Sequence, residues 1–242
     1  MPDPIYAIGD IHGQIDMLHA ALDRIEADGG PDARIVFLGD YTDRGPDSRA
    51  VLELLIQGQS EGRNWICLRG NHDQIGAMFL EDYPRSDARF LVGYHWLHPR
   101  IGGTETLRSY GVDVVEGDRV YKVHARAKAA VPQEHIDFLT GLKRYHLENG
   151  VLFVHAGIQP GVALEDQDPE DLIWIRGEFL NDKTVHPWLV VHGHSDVAMP
   201  EHHGNRVNLD TGAAYGRALT AAVFEGTDCW ILEEDGRKPL RP

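Results

Sequence analysis

Three times near the N-terminus a short apolar run ends in a glycine followed by a residue that can bind a metal. Residues Ile5–Ile8 lead into Gly9-Asp10, Ile35–Leu38 into Gly39-Asp40, and Trp65–Leu68 into Gly70-Asn71-His72-Asp73. Between the first two runs, Ile15, Leu18, Leu22 and Ile25 recur at helical spacing until Gly29-Gly30-Pro31 stops them. Between the second and third, Pro46-Asp47 suits a helix start, and Val51, Leu54 and Leu55 share one face. Wholly apolar strands alternating with amphipathic helices must pair in parallel and be covered on both faces. That defines an α/β chain.

The pattern weakens over about 76–150, which holds a polar, helix-compatible stretch, Gly102-Gly103, and a helix after Pro132 with Ile136, Leu139 and Leu142 in phase. No linker composition marks its edges, so it reads as an insertion over a site within a single domain of 242 residues. Strands resume at Val151–Val154, Leu189–Val191, Val207–Leu209, Leu219–Phe224 and Cys229–Leu232. Short turn-rich pieces separate the last three, which predicts an antiparallel meander.

Composition excludes some partners. With 38 acidic and 23 basic residues the formal charge is −15, the wrong sign for a surface that neutralises nucleic-acid phosphates. A phosphorylated substrate remains compatible, because bound metal ions can carry the local positive charge. Two cysteines, Cys67 and Cys229, give no disulfide framework, and Cys67 reads as a packed thiol. The N-terminus lacks signal-peptide features and no apolar run is long enough for a membrane span, so a cytoplasmic protein without membrane contact is expected. The sequence leaves the oligomeric state undetermined.

Five strand ends carry the chemistry: GDIHG, GDYTDRG, GNHD, HAG and HGHS. Loops at one end of an α/β sheet converge on a common crevice. Asp10, His12, Asp40, Asn71, His155 and His194 can therefore meet despite their separation, with Asp40 the natural bridge between two cations. Any one of these residues alone would be an ordinary turn, cap or buried polar group. Five such endings with complementary ligand types point to a metal site. Mixed imidazole, carboxylate and amide donors suit Mn, Fe or Zn better than an all-oxygen Mg or Ca site.

GDIHG, GDYTDRG and GNHD resemble the three signatures of the calcineurin-like metallophosphoesterases. The Asp-Arg-Gly of the second resembles the phosphoprotein phosphatase branch in its compact bacterial and phage forms. The likeness continues through VHAG, Trp174-Ile175-Arg176, VHGHS and Asp210-Thr211-Gly212, and is weak only over about 76–150. It implies two mixed sheets packed together with helices outside, a four-layer αββα fold. It also implies one divalent ion held by Asp10, His12 and Asp40, and a second by Asp40, Asn71, His155 and His194. Mn²⁺ is the expected metal, with Fe and Zn as alternatives. The resemblance makes His72 the general acid, oriented by Asp43, and sets Arg44 and Arg176 on the phosphate oxygens. A hydroxide bridging the two metals would attack phosphorus in line.

Two positions depart from the pattern. Asp73 stands where many protein phosphatases have Glu, a change expected to touch only a supporting contact. Asp196 stands where nuclease and phosphodiesterase branches have a further histidine ligand, which argues against those branches. The expected activity is that of a metal-dependent phosphomonoesterase, with a protein-serine/threonine phosphatase in front because Asp43 is present. Its substrate would be a phosphorylated protein or a small phosphoester. Symmetrical dinucleoside tetraphosphatase is the alternative, and a non-catalytic scaffold on the same fold the third. His192 is expected to point away from the motif face, and Trp96, Trp174 and Trp188 are expected in the core. The role of Tyr215 stays open between lining the site and ordinary packing.

Overall fold

Alternation within the apolar strands sets the layering of the computed structural model, which describes residues 3–242. In β1 (Ile5–Ile8), Ile5 and Ala7 face one core while Tyr6 and Ile8 face another. The same division runs through β2 (Arg34–Phe37), where Val36 takes the first side and Ile35 and Phe37 the second. Every apolar position of these two strands is buried, so both faces need cover.

The helical cover comes from α1 (Ile15–Gly29) and α2 (Ser48–Ser60), which present Leu18, Ala21, Ile25, Val51, Leu52 and Leu55 to one face of the first sheet. After β3 (Trp65–Cys67), the short α3 (Asn71–Phe79) begins directly in the third motif. Next come α4 (Gly103–Ser109), α5 (Val120–Ala130) and α6 (Gln133–Gly141). Leu139 of α6 and the adjacent Leu142 return to the helical core of the first sheet. Trp96, Leu97, Ile101, Leu107 and Val123 instead build a satellite core on Ile75, Phe79 and Leu80.

The second sheet holds β4 (Tyr145–Glu148), β5 (Val151–Val154), β6 (Leu189–His192), β7 (Glu201–His202) and β8 (Arg206–Asn208) in the order β4-β5-β6-β8-β7. Its outer face is covered by α7 (Asp171–Trp174), α8 (Gly177–Leu180) and neighbouring residues such as Ile158 and Ile175. The chain then returns to the first sheet through β9 (Ala221–Glu225), β10 (Asp228–Glu233) and β11 (Gly236–Leu240), completing the order β11-β10-β9-β1-β2-β3. Both sheets are mixed. β1, β2 and β3 run parallel, as do β5, β6 and β8, while β9 is antiparallel to β1 and β4 to β5. Between the sheets Phe153 and Phe224 meet edge to face at 5.6 Å, and each such fully buried ring contributes about 1.5–3 kcal/mol.

One topological expectation fails. Val207 lies on β8 in the second sheet, whereas β9 and β10 lie in the first, so the three do not form one meander. The connection between Leu209 and Thr220 crosses from sheet to sheet, and short turn-rich spacing looks the same whether a chain reverses or crosses. The meander that does form is β9-β10-β11, with Pro239 on the edge strand, where a proline is best tolerated in a sheet. The edge strands β4 and β11 escape sequence reading because charged and apolar residues mix there. Among the described residues no helix is long and apolar enough to cross a membrane.

Candidate metal centre

Parallel strands place their following loops on one edge of the sandwich, and the ligand-type residues collect there. Asp10 and His12 follow β1, Asp40 follows β2, Asn71 follows β3, His155 follows β5 and His194 follows β6. All six are buried, as is His72. His12, Asp40 and His72 each bring a ligand atom within 4.8 Å of the others, and Asp40, His155 and His194 do the same. Asp40 thus belongs to both groups. Asp10 stands beside them, its two oxygens 3.2 and 3.1 Å from the His194 backbone N–H. The loops must be glycine where the carboxylates approach: a Cβ on Gly70 would sit 2.0 Å from Asp40 Oδ1, and one on Gly193 2.0 Å from Asp10 Oδ1.

Strain concentrates in the same loops. Six non-glycine residues have positive φ among the described residues, and five of them are His12, Asp40, Asp43, Arg44 and His194. The sixth, Asn149, occupies the Asn-Gly turn between β4 and β5. Left-handed backbone costs an ordinary residue about 1–2 kcal/mol, and the surrounding hydrogen bonds have to impose it. This gives a direct check at Arg44, where φ is 67°. Arg44→Gly should melt about 2–4 °C above Arg44→Ala, equivalent to roughly 1 kcal/mol. Equal midpoints by calorimetry would mean that the backbone there is not strained.

Hydrogen bonds fix which imidazole nitrogens face inward. His12 Nδ1 lies 2.8 Å from the Thr42 carbonyl and His155 Nδ1 lies 2.9 Å from the Leu38 carbonyl. A carbonyl only accepts, so each Nδ1 carries the proton and each Nε2 presents a lone pair. His155 Nε2 then faces Asn71 Oδ1 at 3.1 Å and Asp40 Oδ1 at 3.5 Å, while His12 Nε2 faces Asp40 Oδ2 at 3.5 Å. The Arg44 guanidinium serves the His12 nitrogen, but around His155 acceptors face acceptors in a buried space, and these repel unless a cation lies between them. His194 Nε2 is buried with no hydrogen-bond partner among the described residues. The donor set therefore fits divalent metal ions.

Electrostatics favour the same occupant. Burial pushes His12 and His194 well below the ordinary histidine pKa and lowers His155 as well, leaving them neutral, the form that binds metal. Burial drives Asp10 well above the usual carboxylate range, with further repulsion from Asp210 and Asp40. Asp210 is pushed to about 6, again by burial first. Acids packed this densely need positive charge nearby.

His72 is oriented away from its own helix. Its Nδ1 donates to Asp43 Oδ2 at 2.7 Å, which leaves Nε2 as its other functional nitrogen. The same carboxylate accepts the Trp96 indole N–H at 2.9 and 3.1 Å and the Thr106 hydroxyl at 2.7 Å. Trp96 is buried, as its sequence suggests, but its contact with Asp43 was not legible there. Asp73 accepts backbone N–H groups from Gly70, Asp40 and Tyr41 at 2.8–2.9 Å, a supporting role that ties the second motif to the third. Burial and the charge of Asp40 push its pKa to about 8 against those three donors.

A cleft of about 200 Å³ opens over Asp40, Asn71, His72 and His194. Arg44, Arg89 and Arg176 reach it, and Phe90, Tyr94 and Trp174 contribute ring walls. Arg44 also donates to His12 Nε2 at 2.9 Å, and Arg176 to Ser195 Oγ at 2.8 Å. Trp174, expected in the core, instead lines this cleft with its ring 6.0 Å from His194. Tyr215 is exposed between the guanidinium groups of Arg44 and Arg217 at 5.6 and 5.9 Å. His192 points elsewhere and accepts from Arg206 at 3.2 Å. A larger hollow of about 460 Å³ lies beside α3, but its Arg85, Arg89 and Arg144 are paired with Glu81, Asp171 and Glu170. The smaller cleft, which adjoins both His/Asp groups, is therefore the candidate site.

Comparison with known proteins bears on the family and the fold. Residues 3–224 match the family described as calcineurin-like phosphoesterase. The bis(5'-nucleosyl)-tetraphosphatase PrpE (asymmetrical) of Oceanobacillus iheyensis is 27% identical over 243 residues, covering 90% of this chain and 87% of that protein. A crystal structure provisionally named as a diadenosine tetraphosphatase superposes with TM-score 0.65 at 20% identity, covering 99% of this chain and 94% of the other. A cold-active protein-tyrosine phosphatase from a psychrophilic Shewanella also reaches 0.65, at 17% identity, covering 100% of this chain and 83% of its own. At such identities the two superpositions speak for the fold alone.

Proposed function

This chain belongs to the calcineurin-like phosphoesterase family, and from that premise we propose that it hydrolyses dinucleoside polyphosphates asymmetrically. The carrying observation is the cleft, where three arginines and three aromatic rings surround the His/Asp groups. A polyphosphate chain needs several cations along its length, and arginine's planar fork suits phosphate oxygens. A nucleobase needs a flat apolar wall. The name of the 27% identical relative supports the same substrate class. Sequence reading alone ranks a protein phosphatase first and names the symmetrical tetraphosphatase as the alternative.

The family works with a pair of divalent ions, and in this reading Asp10, His12 and Asp40 hold one while Asp40, Asn71, His155 and His194 hold the other. When bound, the pair would lower the pKa of a water towards neutrality and neutralise phosphate charge, and Mn²⁺ best suits the mixed donors. Arg44 and Arg176, which line the cleft, grip the phosphoryl oxygens in this reading, Arg44 releasing His12 Nε2 to the metal as it does so. Arg89 stands at the rim of the cleft, paired with Asp171 at 2.9 Å, and would join the phosphate chain only by exchanging that partner. His72, aimed by Asp43, can offer a proton at Nε2 to a departing oxygen, an aid that an ester oxygen needs and a departing nucleoside polyphosphate largely does not.

A second reading, phosphomonoester hydrolysis on serine or threonine, is favoured by the His72–Asp43 pair at 2.7 Å. An alkoxide departs poorly without a proton, whereas a nucleoside polyphosphate departs readily. The deciding experiment incubates Mn²⁺-loaded protein with diadenosine tetraphosphate and, separately, with a phosphoserine peptide. ATP and AMP in equal amounts are the expected products, with the peptide cleaved far more slowly. Two ADP would indicate symmetrical cleavage. Efficient peptide dephosphorylation with diadenosine tetraphosphate left intact would replace the first reading by the second.

A further inference from the structure

Asp43 is held by a part of the chain that carries none of the five motifs. Three donors face its carboxylate, and two of them, Trp96 and Thr106, come from the segment after α3. Trp96 donates to both oxygens, and its ring is only 3% exposed. The Thr106 hydroxyl donates to Oδ1 at 2.7 Å and accepts the Asp43 backbone N–H at 2.8 Å, so one side chain clamps a residue whose φ is 74°. The Gly102 carbonyl adds a bond from the Arg44 N–H at 3.2 Å. The same stretch supplies Phe90, Leu91, Tyr94 and Ile101 to the wall of the cleft.

We propose that residues 90–106 position the proton donor, with Trp96 and Thr106 fixing the plane of the Asp43 carboxylate and thereby the direction of His72. The inference rests on the reading of His72 as the general acid. A carboxylate held only by His72 could rotate about its Cβ–Cγ bond and swing the imidazole with it. Donors on both oxygens remove that freedom. Because the wall of the cleft and the support of Asp43 belong to one segment, the part of the substrate that presses on the wall also bears on the alignment of the acid. A selective enzyme can use such coupling to deliver its proton only to a leaving group that fits.

A purely structural account exists: a buried indole N–H needs some acceptor, and Thr106 stabilises a strained turn. The two accounts differ in what Trp96→Phe and Thr106→Val do to leaving-group dependence. Single-turnover rates of Mn²⁺-loaded protein on aryl phosphates, from dinitrophenyl to phenyl, isolate the chemical step. Each variant should lose about tenfold on phenyl phosphate while staying within about twofold on dinitrophenyl phosphate, a hydrogen bond to a charged group being the size of effect at stake. Thr106→Ser should restore the wild-type slope. In an Asp43→Asn background neither substitution should steepen the slope further, since the pathway is already cut. Equal losses across the series, or a selectivity that adds fully to that of Asp43→Asn, would overturn the proposal. If His72→Asn itself shows no selectivity, the acid reading falls and this inference falls with it.

Discussion

Asp40→Asn should abolish stoichiometric binding at both metal positions and lower turnover by on the order of 10³-fold or more, the scale expected when preorganised charge is removed from a phosphoryl site. Asp40 is the one residue common to both ligand groups, so its loss cannot be local. His12→Ala offers the contrast, because His12 belongs to one group and should weaken one ion. Stability makes the test sharper. Without metal, the substitution removes a negative charge that repels Asp10, and Asn can still accept the His72 backbone N–H that Asp40 Oδ1 receives at 3.0 Å. Against that, burial of the Asp40 carboxyl is outweighed by the charges of His155, His72, His12 and His194, which hold it well below the usual carboxylate range, a stabilisation that Asn forfeits. The metal-free variant should therefore melt somewhat below metal-free wild type, and the metal-induced shift is the decisive readout. Adding Mn²⁺ should raise the wild-type midpoint, since a ligand at 100 times its Kd contributes about 2.7 kcal/mol, and should leave the variant unmoved. Two ions per chain in Asp40→Asn by metal analysis would remove Asp40 from the bridging role.

How much of this was legible in the sequence depends on where each residue sits. Asp10, His12, Asp40, Asn71, His155 and His194 announce themselves because each closes an apolar run, and parallel strands bring such ends together. The two-sided burial of β1 and β2 is likewise readable as continuous apolarity. Trp96 and Thr106 were not legible as site residues. They touch Asp43 from 53 and 63 positions away, out of a stretch without periodicity, and an indole N–H or a hydroxyl carries no mark of its future acceptor. The satellite core that seats them is built from residues such as Leu97, Ile101 and Leu107, whose spacing fits neither a strand nor one helix. The sheet crossing after β8 escaped for a related reason. Local pattern reports burial and turns but not which sheet receives the next strand. Arg89 lies in the same irregular region, so its approach to the cleft had no sequence signal either.

His72 poses the sharpest question left by the geometry, because a nitrogen of its ring lies within the 4.8 Å group formed with His12 and Asp40. It could be a ligand or a proton donor, and the two roles give opposite results. Its Nδ1 is committed to Asp43 at 2.7 Å, an arrangement that aims and supports a donor at Nε2. Asn71, its neighbour, faces His155 Nε2 instead. If His72 is the acid, His72→Asn should keep both metals and lose activity in proportion to how badly the leaving group needs a proton. The loss on phenyl phosphate or a phosphoserine peptide should be about 10²–10⁴-fold, the usual worth of general-acid assistance, and small on dinitrophenyl phosphate. Diadenosine tetraphosphate should behave like the nitrophenyl ester, because a departing nucleoside triphosphate is itself a stable anion. The variant would thus separate the two proposed activities, sparing anhydride cleavage while suppressing ester cleavage. Loss of a metal ion in His72→Asn, with equal losses on all substrates, would instead make His72 a ligand and leave the leaving group without a protein donor.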